Sequence, residues 1–317
     1  MIESFAFAFI VPFLAVVLDA LFGDPHSFPH PVRYIGNALD LFEASARRVK
    51  LDLRIAGWVA LLLFSAAAWG TSEYLMAIPY LGFIVAVYLG YAGLALGCLV
   101  RESRRVASLL DTGDLPGARE ALSMLVSRDT ATLDPIGIRQ TLAETVSENL
   151  NDGFVAPMFY LVIFGPGGLW AYKVVSTMDS MWGYKTERYK DLGFAAAKTD
   201  DVLAYVPARL TAWLMLLVGK KQGLNYATAK MNFAHDARAM ESPNAGWPMA
   251  AAAWLFGGQM GGETSYFGKI KNKPGLGPKG QVWNKLMIRN LIKTCKSTGH
   301  ISAWILILCL GWLQLFF

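Results

Sequence analysis

Three cysteines in 317 residues are too few, and too scattered, for a disulfide framework or a thiolate metal site. Cys98 and Cys309 lie in apolar runs and Cys295 stands alone in a basic stretch, so all three are expected to be structural thiols. Charge is scarce as well: Asp, Glu, Lys and Arg make up 17% of the chain, against roughly 25% in soluble domains. The net charge of +5 is modest and sits in particular loops, which argues against a nucleic-acid partner. No Walker A sequence, GxSxG elbow or HExxH motif occurs, so a P-loop, an α/β-hydrolase nucleophile and a zincin site are excluded. No internal repeat is evident. The first 18 residues have the length of a signal peptide but no basic n-region, and a membrane span is expected there.

What the chain has in abundance is apolar surface: 54% hydrophobic residues, ten tryptophans and a mean hydropathy of +0.36. These values predict an all-α integral membrane protein, folded as a single polytopic domain over residues 1–317. Four transmembrane helices are expected, over residues 5–22, 55–69, 80–100 and 301–317. Residues 23–54 and 101–153 carry eleven Lys and Arg between them and should be cytoplasmic, which puts both termini outside the cytoplasmic (inner) membrane. Phe154 to Val175 is apolar but broken by Pro157 and by Gly165-Pro166-Gly167-Gly168. Its halves are too short to cross, so a re-entrant hairpin lining a cavity is expected, with a kinked ordinary span as the alternative. Residues 202–218, with Arg209 inside, and 247–261 are short membrane segments that either dip or cross. Glu263 to His300 holds eight Lys and Arg against one acidic residue and reads as a surface loop, with Lys269, Lys271 and Lys273 a solvated run facing lipid headgroups.

The chemistry concentrates between Asp134 and Asp201. Asp134 is a good N-cap, Pro135 suits the first helical position and Gly153 supplies a stop, predicting a helix from Pro135 to about Asp152. Glu144, Glu148 and Asp152 then follow one another along one face. Like charges at this spacing cost roughly 0.2–0.5 kcal/mol per pair, so a cation should sit beside them: Mg²⁺ with a nucleotide, or Lys and Arg from elsewhere. A solvated acidic face is the bland alternative. Further clusters are Asp24, His30 and Arg33; Arg128 and Asp129; Asn149; Lys173, Asp179, Tyr184, Lys185, Asp200, Asp201 and Arg209; and Asp236, Arg238, Ser242 and Asn244. Carboxylates mixed with Lys and Arg suit phosphoryl transfer, in which positioning and charge neutralisation dominate. His26 and His30 flank prolines and can be structural hydrogen-bonders, and Asp200-Asp201 can be a helix N-cap.

In their order these clusters resemble the CbiB/CobD family of adenosylcobinamide-phosphate synthases over nearly the whole chain. The resemblance rests on GDP....HPVR.IG (Gly23 to Gly36), RDT (Arg128 to Thr130), ETVSEN..DG (Glu144 to Gly153) and YK....DSM.GYK (Tyr172 to Lys185). It continues through DD....PARL (Asp200 to Leu210), SPNAGW (Ser242 to Trp247) and YFG...NKP (Tyr266 to Pro274). The resemblance implies an ATP-dependent ligase at the cytoplasmic face. It would join a propionate carboxylate of adenosylcobyric acid, on side chain f, to (R)-1-amino-2-propanol or its O-phosphate through an acyl phosphate. Glu144, Glu148 and Asp152 would hold Mg²⁺, with Asp179 and Asp201 as ligands or base. Lys173, Lys185 and Arg209 would meet phosphates, and Asp24, His30 and Arg33 would position substrate. Arg128, Asn149, Tyr184, Asp236, Arg238, Ser242 and Asn244 complete the candidate set. The lipid bilayer, other membrane-bound cobalamin-assembly enzymes and a second copy of the chain are the implied partners. Ser176, Met240 and Met249 depart from the family pattern and are poor candidates for essential groups. A signalling protein like the related AmpE branch, or a transporter, are competing classes, but the polar clusters fall mostly in loops rather than at the bilayer midplane.

Overall fold

The computed structural model describes residues 6–23, 30–266, 268–310 and 312, the side chains of Ala6, Phe7, Lys269 and Leu310 excepted. Asp24 and His26 therefore lie outside the described residues. After a π-helical turn at Ala6–Ile10 come α1 (Val11–Phe22), α2 (Pro31–Arg48), α3 (Leu53–Met76), α4 (Gly82–Ala92), α5 (Leu96–Asp111) and α6 (Leu115–Ser123). Helix α7 (Pro135–Leu150) runs through a second π-helical turn, Asn151–Val155, into α8 (Ala156–Trp182). Then follow α9 (Phe194–Leu203), α10 (Tyr205–Lys221), α11 (Tyr226–Ala239) and α12 (Gly246–Phe256), a hairpin of β1 (Met260–Tyr266) and β2 (Lys269–Leu276), and α13 (Lys285–Leu310). The helices and the hairpin pack into two compact units, each assembled from separated stretches of sequence.

The first unit comprises Met1–Ala95, Ala156–Ala204 and Ala303–Phe317. Its core joins α2, α3, α8 and α9 through Leu39, Ala56, Val174, Met178, Trp182 and Ala195, all at most 2% exposed. A large side chain buried this way contributes about 1.5–3 kcal/mol relative to water. The outer face of α3 leaves Ile55, Val59, Leu62 and Leu63 exposed, a run of apolar surface that suits lipid. Glu43 on α2, only 5% exposed, accepts from Arg47 Nε at 2.8 Å and Arg188 Nε at 3.0 Å, so it ties the loop after α8 to α2.

Helix α8 does not run straight. Gly165 has φ 68° and ψ −170°, a region open essentially to glycine alone, and Pro166 restarts the helix. The rings of Tyr160 and Tyr172 stack with centroids 4.7 Å apart, although twelve residues of straight helix would set them about 18 Å apart along the axis. A Cβ on Gly90 would lie within 3.6 Å of Leu161, and one on Gly93 within 3.0 Å of Leu169, so both arms lie against α4. The chain therefore turns sharply at Gly165, and its second arm reaches Trp182 and carries Lys173 and Asp179.

The second unit comprises Leu96–Val155 and Tyr205–Ser302. Its centre is α7, whose Ile138, Leu142, Val146 and Leu150 are all at most 1% exposed, and the alanine-rich α12, with Ala250, Ala251, Ala252 and Ala253 fully buried.

Several expectations need correction. A two-stranded antiparallel sheet interrupts the all-α fold, and the stretch 263–300 is this hairpin followed by the start of α13 rather than a loop. By length and composition, Leu53–Met76, Gly82–Asp111 and Pro135–Trp182 can cross a membrane, with Phe194–Leu203 plus Tyr205–Lys221 a fourth if the broken pair is one span. Within the expected span 5–22 the described residues hold the apolar helix Ala8–Phe22, and residue 5 lies outside them. The span placed at 301–317 is the end of the longer α13, and residues 311 and 313–317 lie outside the described residues. Of 247–261, the 11-residue α12 is too short to cross, at about 16 Å, and residues 260–261 belong to β1. Gly153 does not stop α7, because the π-helical turn carries the chain through it. Asp200 and Asp201 lie inside α9 and are not its N-cap.

Gly165→Ala tests the fold-back cleanly, because the space a Cβ would enter is empty within 4 Å and only backbone strain remains. The expected loss is about 1–3 kcal/mol, read as a lowered melting temperature of the detergent-solubilised chain.

Candidate functional site

In the second unit the site is built on a clasp between α7 and the β-hairpin. Asp134 caps α7 by accepting from Gly137 N–H at 2.7 Å, which fixes where the helix begins and therefore which way Gln140, Glu144 and Glu148 face. Glu144 is 1% exposed, and both its carboxylate oxygens are engaged. Oε2 takes Arg128 Nη2 in a short ion pair; Oε1 accepts from Gly261 N–H at 2.8 Å and Gln140 Nε2 at 3.1 Å. Gln140 Nε2 also donates to Gly261 O at 2.6 Å. Gly261 (φ 79°) and Gly262 (φ 85°) sit where β1 and β2 slip register, and a Cβ on Gly261 would meet Pro274 O at 2.1 Å. No other residue fits that position. The RDT motif holds the far end of the hairpin: Asp129 accepts from Ser265 Oγ and, at 2.9 Å, from Gly268 N–H. Thr130 Oγ1 donates to Arg119 O at 3.1 Å.

The clasp places cations over carboxylates. Arg128 lies 6.0 Å and Lys273 Nζ 5.1 Å from the centroid of the Tyr266 ring. Burial disfavours the charge of Arg128, but Glu144, Tyr266 and Glu148 outweigh that cost and hold its pKa above the ordinary value. Glu148, one turn beyond Glu144, feels Asp152 and Glu144 as like charges and Lys273 and Arg128 as opposite ones. Among the described residues Glu148 makes no hydrogen bond or ion pair, whereas Asp152 Oδ1 accepts from Asn151 Nδ2 at 2.7 Å. Asn149 turns back to donate to Thr145 Oγ1 at 3.0 Å. No group of three or more His, Cys, Asp or Glu side chains is gathered for a metal ion among the described residues, and Glu144 commits its oxygens to protein partners. Lys273, expected in a solvated run, belongs instead with the acidic residues of α7, while Lys271 pairs with Glu241 at 2.9 Å. The YFG...NKP motif was the signal for Tyr266 and Lys273; no local pattern showed that the two come together in a strand pair.

A second group in this unit surrounds Arg209. Its guanidinium lies 3.3 Å from the centroid of Tyr205 and 4.5 Å from that of Trp247, donates to Tyr205 O at 2.8 Å, and reaches Asn244 Oδ1 at 3.3 Å. Ser242 Oγ accepts from the N–H groups of Asn244 and Ala245, turning the SPN segment into the start of α12. Exposed Arg238 is close enough for repulsion with Arg209. Asp236 is structural: Oδ2 accepts from Trp254 Nε1 at 2.7 Å and Gly277 N–H at 2.9 Å.

In the first unit His30 caps α2, Nδ1 accepting from Val32 N–H at 3.3 Å, and Arg33 is exposed on the first turn. Asp179 and Asp201 are half-buried and repel each other. Lys198 lies 3.6 Å from Asp201. Gly183 donates to Asp179 O at 2.7 Å, and a Cβ there would lie 2.2 Å from Asp179 Oδ1, so the glycine of GYK lets the chain turn beside that carboxylate. Tyr184 and Lys185 follow directly, half-buried and exposed respectively, and Lys173 is half-buried on the second arm of α8.

Arg128→Ala leaves Glu144 buried without its cation and should cost about 3–5 kcal/mol, with the β-hairpin cut much faster by protease in the detergent-solubilised chain. Lys271→Ala, which removes only an exposed pair, should change stability by well under about 1 kcal/mol.

The family described as "CobD/Cbib protein" matches residues 12–295. The "Cobalamin biosynthesis protein CobD" of Pelobacter propionicus is 44% identical over 302 residues, covering 91% of this chain and 92% of its own length. That of Geobacter metallireducens is 44% identical over 268 residues, 83% of this chain and 84% of its own. The "Cobalamin biosynthesis protein CbiB" of Salmonella choleraesuis is 38% identical over 276 residues, 83% and 85% of the two chains. No solved structure matches. With the family model matching residues 12–295 and a relative 44% identical over 91% of the chain, this chain belongs to the CobD/CbiB family.

Proposed function

We propose that this protein acts in cobalamin biosynthesis as an ATP-dependent carbon–nitrogen ligase of the cytoplasmic membrane. It joins the side-chain f propionate of adenosylcobyric acid to (R)-1-amino-2-propanol or its O-phosphate. Family membership names the pathway; the observation that supports phosphoryl chemistry is Glu148, without a hydrogen-bond or ion-pair partner among the described residues and within electrostatic reach of Asp152, Lys273 and Arg128. In the first step a carboxylate oxygen of the substrate attacks the γ-phosphorus of ATP and ADP leaves. In the second, the amine nitrogen attacks the acyl carbon, phosphate leaves, and the amine gives up a proton.

Mg²⁺ prefers one or two carboxylates together with substrate phosphate oxygens, and Glu148 with Asp152 fits that demand better than a three-carboxylate cage. Bound there, it would neutralise phosphate charge. Glu144 keeps the place of those residues through the clasp. Lys273 and Arg128, and separately Arg209 and Arg238, supply cations for phosphate groups. Within the first unit, Asp179, Asp201, Lys173, Lys185, Tyr184, His30 and Arg33 are assigned to binding substrate. The hairpin at Gly165 dips into the bilayer and returns to the cytoplasmic side.

The test is the purified chain in detergent with adenosylcobyric acid, Mg·ATP and either amine, product followed by mass and ADP by coupled assay. Amide formed in step with ADP is the expected result; corrinoid binding without amide from either amine would sink it. Glu148→Gln should lower turnover by about 10²–10³ with melting unchanged, and Lys273→Ala should raise the KM for ATP by roughly tenfold. Glu148→Gln retaining full turnover would refute the metal assignment while leaving the ligase standing.

A further inference from the structure

A cavity of about 340 Å³ with a mixed, partly cationic lining lies in the second unit between α5 and α13, apart from the clasp. The two helices run antiparallel there: Gly299 packs on Leu96 at the start of α5, whereas the earlier Arg289 of α13 places Nη2 2.6 Å from Asp111 at the end of α5. The lining holds Arg104, Arg289 and Lys293 against the single carboxylate Asp111. Asp111, 10% exposed, is committed to Arg289 and to Lys285 at 3.3 Å, so it anchors the floor and fixes Arg289 in place. Arg104 and Lys293 are exposed and have no acidic partner among the described residues. Buried Ala107 and Ile292 close the apolar side of the cavity.

Two exposed cations converging on a cavity, with a third held by the largely covered carboxylate of Asp111, form a site shaped for an anion. Its depth says which anion. The apolar run of α5 ends at Val100, so Arg104 lies about 6 Å further along the helix, within the headgroup layer that flanks roughly 30 Å of hydrocarbon. Lys293 lies about 12 Å before the apolar run of α13 begins at Ile301, within reach of the same layer through its long side chain. We propose that this cavity binds the phosphate of an anionic phospholipid headgroup, with Arg104 and Lys293 as the direct contacts and Arg289 as the third cation. None of these residues belongs to the candidate catalytic set, so the site serves the attachment of the second unit to the membrane surface rather than the reaction.

The test uses the full chain in detergent, its melting followed while phosphatidylglycerol or phosphatidylcholine is added, and lipid retention read by native mass spectrometry. Phosphatidylglycerol should bind on the order of tenfold tighter than phosphatidylcholine and raise the melting temperature. In Arg104→Gln/Lys293→Gln that preference should disappear while melting without added lipid stays the same. Lys230→Gln/Lys279→Gln removes the same charge from exposed positions elsewhere and should keep the preference. Equal binding of the two lipids, or an undiminished preference in the first double variant, would overturn the proposal. So would protection by inorganic phosphate that matches phosphatidylglycerol, which would make the cavity a site for a soluble anion.

Discussion

The buried pair of Arg128 and Glu144 is the contact on which the second unit depends. Two charges taken out of water cost several kcal/mol each, and only near-complete hydrogen bonding offsets that cost. Here the carboxylate also takes Gly261 N–H and Gln140, and Arg128 also reaches Thr141 Oγ1 at 3.3 Å. The pair is costly to build and more costly to break, so it fixes the hairpin on α7 rather than merely adding stability. Everything near Glu148 inherits its position from this: Lys273 because β2 is paired to β1, Tyr266 because β1 is held at both ends.

Much of this was legible in the sequence. The cap at Asp134, the helix after it and the stacking of three acids along one face follow from local rules, and the observed α7 begins at Pro135 as those rules require. The break at Gly165-Pro166 was equally visible, since a glycine and a proline in an apolar run announce a turn whatever surrounds them. The ordered motifs carried the family.

The missing parts are those decided by distant partners. Nothing in Glu263 to Leu276 alternates as a strand should, because the hairpin is held by Asp129, Glu144 and close glycine contacts rather than by an apolar face. Glu144 looked like a metal ligand because the sequence displays its like-charged neighbours but not Arg128 folding back onto it. Lys273 looked solvated because its counter-charges lie more than a hundred residues earlier. Helix α12 looked like a membrane segment because a run of alanines is equally suited to lipid and to a packed core.

Neither unit is a continuous piece of chain, and this has a consequence for how the protein is made. The bond from Gly261 to Glu144 closes a loop of 117 residues, and the stretch inside that loop supplies the fold-back of α8 to the other unit. On the ribosome, α7 emerges long before the strand that satisfies Glu144, and until then the acid must wait without that partner. Closing so long a loop is slow, and contacts of high sequence separation form late. The first unit likewise takes its last segment from Ala303 onward. Each unit is therefore completed only after the chain inserted between its parts has been made, and Glu144 waits through 117 residues for the backbone N–H that satisfies it.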